Sequence, residues 1–115
     1  MIAANRARRA ISRQRAAATR TARRATRALA TGQPQPATVH LIGRGLDAKT
    51  AKRFAGAFSR GVTPTAMGET VVKLKGRARK AVALKLYDLA AFAARLAVYR
   101  PRDPHAAAQF ASLAA

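Results

Sequence analysis

Arginine and lysine side chains are the groups through which this sequence could do chemistry, and that chemistry is the binding of anions. Five of the eight residues from position 73 to 80 are cationic, and residues 1–35 carry nine arginines and no acid. Such side chains bind phosphate through charge-assisted hydrogen bonds. Since the formal net charge is +19, we expect the partner to be a polyanion, and a nucleic acid above all.

The candidate contact residues fall on a helix, a turn and a hairpin. When residues 3–30 are placed on a helix at 100° per residue, seven of the nine arginines fall within about a third of its circumference. The predicted contacts are Arg6, Arg9, Arg13, Arg20, Arg23, Arg24 and Arg27 on this helix, Arg44 in a turn, and Lys73, Lys75, Arg77, Arg79, Lys80 and Lys85 on the hairpin.

Catalytic and metal-binding groups are scarce. Of four carboxylates, Asp47, Asp88 and Asp103 stand where predicted helices begin and serve as N-caps, which leaves Glu69. The two histidines have no Cys or His neighbour at ligand spacing, and no serine lies in a Gly-x-Ser-x-Gly context. We expect His40 to be a surface or nucleic-acid contact. The sequence therefore predicts a non-enzymatic protein without a metal or other cofactor.

Composition narrows the cellular setting. The chain has no cysteine, which excludes disulfides and thiolate metal sites. No apolar run approaches the roughly 18 residues that span a bilayer. The abundance of alanine, arginine and glycine suggests a GC-rich bacterial or phage genome. The expected location is the cytoplasm, with the nucleoid or within a phage particle.

A long basic helix is predicted for residues 3–30, which lack proline and glycine and are dominated by the strong helix formers alanine and arginine. Its face opposite the arginines is mostly alanine, so we expect weak docking on the rest of the chain. Other interpretations remain open, namely a disordered solvated arm, an organellar targeting peptide or a membrane-surface helix. Gly32, Pro34 and Pro36 then form a linker, which predicts an arm over residues 1–35 and a compact domain over 36–115.

The compact domain is predicted to be α+β, with elements in the order β-α-β-β-α-α. The first strand covers residues 37–42, Asp47 caps the first helix, and the last two helices follow Asp88 and Asp103. A right-handed crossover and a hairpin would give a three-stranded sheet with helices on one face. This order resembles the first five elements of the ferredoxin-like arrangement, although the stacking motif of RNA-recognition domains is absent.

Alternation with period two predicts an antiparallel hairpin whose two faces differ. The apolar face consists of Val72, Leu74, Val82, Leu84 and Leu86, and the other, largely cationic face of Val71, Lys73, Lys75, Lys85 and Tyr87. Gly76 can take the positive φ that a tight reversal requires. We expect the helix after Asp88 to cover the apolar face.

Gly43-Arg44-Gly45, placed between a predicted strand and a helix N-terminus, has two interpretations. Such a loop can bind phosphate through free backbone amides. The spacing of the known glycine-rich motifs is missing, however, and Asp47 would repel an anion. The sequence favours an ordinary turn.

These features predict a small protein that binds nucleic acid, with duplex DNA favoured over RNA. Few aromatic residues argue against stacking on single strands, and helices and two-stranded ribbons both fit a major groove. Two alternatives remain open: a structural or assembly component of a virion or ribonucleoprotein, and an inhibitor that docks on an acidic protein surface. A homo-oligomer or a larger assembly is compatible with each of these interpretations.

Overall fold

The computed structural model describes residues 2–115, which form five helices and one two-stranded antiparallel sheet, an α+β fold. In chain order the elements are α1 (Ile2–Ala30), α2 (Ala37–Gly43), α3 (Ala48–Ser59), β1 (Ala66–Lys73), β2 (Arg79–Leu86), α4 (Leu89–Val98) and α5 (Pro104–Ala114). Across residues 2–115 the sheet thus has two strands, and the prediction of a third was wrong.

The missing strand is α2, a helix where alternation predicted a strand. Its buried residues are Ala37, His40 and Leu41, which have the i, i+3, i+4 spacing of a helix face. The Pro36 carbonyl accepts hydrogen bonds from the N–H groups of Val39 and His40, which starts the first turn. Over six residues the two-residue period of a strand and the 3.6-residue period of a helix are hard to distinguish. The burial of Ala37 together with His40 and Leu41 fits the helical period.

The core lies among the helices, and α2 is at its centre because it packs against α1, α3 and α4. Aromatic rings fill the space between α3, α4 and α5. The centroid of the Phe58 ring lies 5.3 Å from that of Phe92 and 5.4 Å from that of Tyr99, and the Tyr99 and Phe110 centroids are 5.0 Å apart. Such edge-to-face and tilted pairs contribute beyond the area that they bury.

The three predicted N-caps are confirmed. The backbone N–H groups of Thr50, Ala91 and Ala106 donate to the carboxylates of Asp47, Asp88 and Asp103 at 3.1, 2.7 and 3.1 Å. Hydrogen bonds from Thr50 lower the pKa of Asp47 below its ordinary value. Each cap satisfies an amide that the first turn of a helix leaves free.

Helix α1 contacts the domain through its C-terminal third. Ala25 is buried and Leu29 half-buried against α2, and a Cβ on Gly43 would collide with the Leu29 side chain. Residues 2–20 are exposed apart from the half-buried Ala10. The arm therefore has a docked end and a long free end.

The hairpin stands apart from the helical core, contrary to the prediction that α4 covers its apolar face. Val72, Leu74 and Val82 remain 43%, 48% and 38% exposed. The large side chains of α4, Phe92 and Leu96, are instead buried in the helical core. Because residues 2–115 form no third strand between the hairpin and the helices, the hairpin is held to the core mainly at its base, next to Tyr87.

The base of the hairpin is anchored at Tyr87. The N–H of Gln35 donates to the Tyr87 carbonyl at 2.9 Å, and the N–H of Tyr87 donates to the Gln35 carbonyl at 2.8 Å. The side-chain amide of Gln35 also donates to the Ala28 carbonyl in α1 at 3.2 Å. One linker residue therefore joins the end of α1 to the base of the hairpin.

His40 completes this junction, and its predicted place on the surface was wrong. Its ring is buried, stacks on Phe92 at 4.7 Å between centroids, and places Nε2 2.7 Å from the Tyr87 carbonyl oxygen. Because a carbonyl only accepts, Nε2 carries the proton. Nδ1 is buried and has no hydrogen-bond partner among residues 2–115. Burial lowers the pKa of His40 below its ordinary value of 6.5, because a charged imidazole loses its hydration there.

Stability should therefore fall on mild acidification. The unfolded chain takes up a proton on His40 near pH 6.5, whereas the folded chain resists it to lower pH. The contribution of neutral His40 to the free energy of unfolding is fully present above pH 6.5. It is lost as the pH falls from 6.5 toward the pKa that His40 has in the folded protein.

Urea unfolding between about pH 8 and about pH 5 measures this loss. His40→Gln should abolish most of the pH dependence in that range, while His105→Gln, which changes the exposed histidine, should retain it. An unaltered pH dependence in the His40→Gln variant would contradict the assignment.

Candidate nucleic-acid interface

The first cationic surface is the hairpin tip, defined as residues 73–80. All five of its cations are exposed: Lys73, Lys75, Arg77, Arg79 and Lys80. Lys73 and Arg79 are cross-strand partners, so their side chains leave the same face of the sheet close together. Like charges side by side repel one another, and a bound anion would relieve that repulsion.

The turn at the tip has a defined geometry. The N–H of Leu74 donates to the Ala78 carbonyl at 2.9 Å, and Gly76 has φ of +75°, as predicted. A residue with a Cβ is strained in this left-handed conformation. Gly76 thus lets the chain reverse while Lys75 and Arg77 stand on either side of it.

The strand register confirms the predicted faces. Val72 pairs with Lys80, Thr70 with Val82, and Met67 with Lys85. Lys73, Arg79 and Lys85 therefore share one face, with Lys85 nearer the base. Lys80 lies on the apolar face, next to Val72 and Val82.

The second cationic surface is the arginine stripe of α1, which comprises Arg6, Arg9, Arg13, Arg20, Arg23, Arg24 and Arg27. All seven side chains are exposed. They lie on the side of the helix away from Ala25, the residue that is buried against the domain. From Arg6 to Arg27 the stripe extends about 32 Å at 1.5 Å per residue, close to one turn of duplex DNA.

Arg44 belongs to neither surface. Its guanidinium carbon lies 5.6 Å from the centroid of the Phe92 ring, a cation–π contact that places the side chain on the helical core. The turn around it follows a helix and not a strand, and Asp47 occupies an amide at the start of α3. This geometry fits the ordinary turn that the sequence favoured over a phosphate cradle.

None of the phenylalanine and tyrosine rings among residues 2–115 is fully exposed. Of the four phenylalanines and two tyrosines, Phe58, Phe92, Phe110 and Tyr87 are buried, and Phe54 and Tyr99 are half-buried. Tyr87 was expected on the cationic face of the hairpin, but its side chain is part of the core cluster. The exposed surface of residues 2–115 therefore offers cations without an exposed Phe or Tyr.

Other kinds of site find little support in the part of the chain that the structure describes. Within residues 2–115, no three His, Asp or Glu side chains are grouped so that they could hold a metal ion. In the same range no helix combines the length and the apolarity needed to cross a membrane.

Comparisons with protein-family models, with curated proteins and with solved structures gave no match. The candidate interface is therefore defined by geometry and charge.

The geometry of the tip should depend on Gly76. Gly76→Ala forces a Cβ into a positive φ, at a cost of about 1 kcal/mol, and should accelerate hydrogen exchange of the Leu74 amide about fivefold. Gly56→Ala is the matched control. Gly56 is an exposed residue of α3, and a Cβ added there would have no neighbouring atom within 4 Å. Unchanged exchange in the Gly76→Ala variant would show that the turn does not need this conformation.

Proposed function

We propose that this chain is a non-enzymatic protein that binds duplex nucleic acid, DNA in preference to RNA, through phosphate contacts. The observation that carries the proposal is the hairpin tip, where five exposed cations stand on an element that joins the core only at its base. The core does not need these cations for packing. Their placement is understandable if they bind an external polyanion.

The position of the acids supports the same proposal. Three of the four carboxylates are engaged as helix N-caps. The fourth, Glu69, lies on β1, four residues before Lys73 in the sequence. The chain thus supplies few counter-charges of its own for 23 cations. Phosphates can supply them, and the release of counterions from nucleic acid then drives association.

Burial of the aromatic rings favours a duplex over a single strand. Proteins that bind single strands without sequence preference stack bases on aromatic side chains, which supply much of the affinity. Every Phe and Tyr side chain among residues 2–115 is buried or half-buried. Contacts to the backbone of a duplex require no such platform.

Groove dimensions favour DNA over RNA. The major groove of B-DNA is wide enough to admit a helix such as α1, whereas the major groove of A-form RNA is too deep and narrow for side chains to read. The link through Gln35 joins α1 to the hairpin base, so contacts by one surface raise the effective concentration of the other. With the bacterial or phage origin that the composition suggests, DNA as the partner would place the protein in the cytoplasm with the nucleoid, or in a phage particle.

The salt dependence of binding tests this proposal. Each neutralised phosphate steepens the slope of log K against log salt by about 0.9 for duplex DNA, and with both surfaces engaged we expect a slope steeper than roughly −5. Replacing Lys75, Arg77 and Arg79 with alanine should make the slope shallower by up to about 2.7. Fluorescence anisotropy with a labelled duplex measures both quantities.

A matched control separates local contacts from net charge. Replacing Lys49, Lys52 and Arg60 with alanine also removes three exposed cations, but these belong to α3 or its C-terminal cap. This variant should bind with nearly the native slope. Equal loss in both triple variants would mean that only total charge matters, and a flat salt dependence of the native protein would refute phosphate binding.

A further inference from the structure

The hairpin carries an apolar patch next to its cations, and none of the five helices within residues 2–115 covers it. Val72, Leu74 and Val82 are exposed on one face of the sheet, and Lys80 lies among them. Exposed apolar residues that adjoin one another commonly mark a binding surface. The occupant of this patch has to accept both apolar side chains and an ammonium group.

A second copy of the chain fits this patch poorly. Two such faces in contact would bring two Lys80 side chains into an apolar interface and the cations of two hairpin tips close together. Like charges in a region of low dielectric constant repel strongly, and each ion also loses hydration. A duplex offers the opposite, since the faces of its bases are apolar where a step is unstacked, and phosphates flank them.

Leu74 is the residue best placed to reach the bases. It adjoins the turn, its N–H is fixed by the Ala78 carbonyl at 2.9 Å, and Lys73 and Lys75 flank it in the chain. Lys73 ends β1, and its side chain leaves the face opposite that of Val72 and Lys80, whereas Lys75 lies in the turn beyond Leu74. Proteins that kink DNA from the minor groove insert an apolar side chain such as leucine between two base pairs and bind the neighbouring phosphates with cations. Leu74 and the cations around it have the same combination of side chains.

On the basis of the proposed function, we propose that Leu74 inserts between adjacent base pairs from the minor groove and kinks the duplex, with Val72 and Val82 packed behind it. The cations of the tip bind the phosphates on either side. Insertion unstacks one base step, and the loss of stacking is offset by the burial of leucine and by phosphate contacts that the bend brings within reach. The protein thereby bends DNA as well as binding it.

Energy transfer between dyes at the two ends of a duplex of about 30 base pairs tests the proposal. The full chain at saturation should raise the transfer efficiency. Leu74→Gln keeps the size and net charge, and it should lose most of this rise while affinity falls by about tenfold at most. Leu89→Gln, at a 63% exposed position on α4, is the matched control and should bend DNA like the native chain.

The possible outcomes are distinct. Native binding without a rise in transfer, or full bending by Leu74→Gln, overturns the wedge and leaves the proposed function standing. Absence of duplex binding by the native chain overturns both. Sedimentation of the free protein provides a further criterion, because a dimer that Leu74→Gln converts to a monomer would assign the patch to a second copy and overturn the wedge.

Discussion

The backbone carbonyl of Tyr87 is the point on which the arrangement of both basic elements depends. It accepts one hydrogen bond from the Gln35 N–H and another from His40 Nε2. Gln35 belongs to the segment that follows α1, His40 to the central helix α2, and Tyr87 to the end of β2. One buried acceptor therefore connects arm, core and hairpin, and its burial makes the loss of either donor costly.

This arrangement separates packing from charge. The rings of Phe58, Phe92 and Phe110 fill a small helical core, while most of the cations lie on α1 and the hairpin. Self-repulsion within a chain of net charge +19 is weakest where side chains face water and salt. A core made of short helices can thus remain folded while two extended elements present charge to a partner.

Features that are determined locally could be predicted from the sequence. An aspartate before an apolar repeat predicted each of the three N-caps, and alternation predicted the two faces of the hairpin. The positive φ of Gly76 was predicted because a glycine stands at a tight reversal of the chain. These depend on interactions within a few residues or between adjacent strands. The long helix α1 was predicted from its content of alanine and arginine, although the same composition also left a disordered arm open.

Features that depend on distant contacts could not be predicted in this way. The β-branched residues of α2 suggest a strand, and only burial against α1, α3 and α4 selects the helix. That error produced the third strand and the exposed His40, whereas the apolar face of the hairpin was expected to be covered because the pattern after Asp88 does not show that Phe92 and Leu96 pack into the helical core. Among the predicted contact residues, Arg44 lies against Phe92, and nothing in its neighbourhood along the chain indicates that contact.

The central claim is that the cations outside the core form the binding surface, and chemical-shift mapping during titration with duplex DNA tests it most directly. We expect backbone amide shifts to concentrate in the hairpin tip, residues 73–80, and along the arginine stripe of α1. Amides of α4 and α5 should change little. Shifts concentrated on α4 and α5, with the tip and the stripe unaffected, would contradict the account.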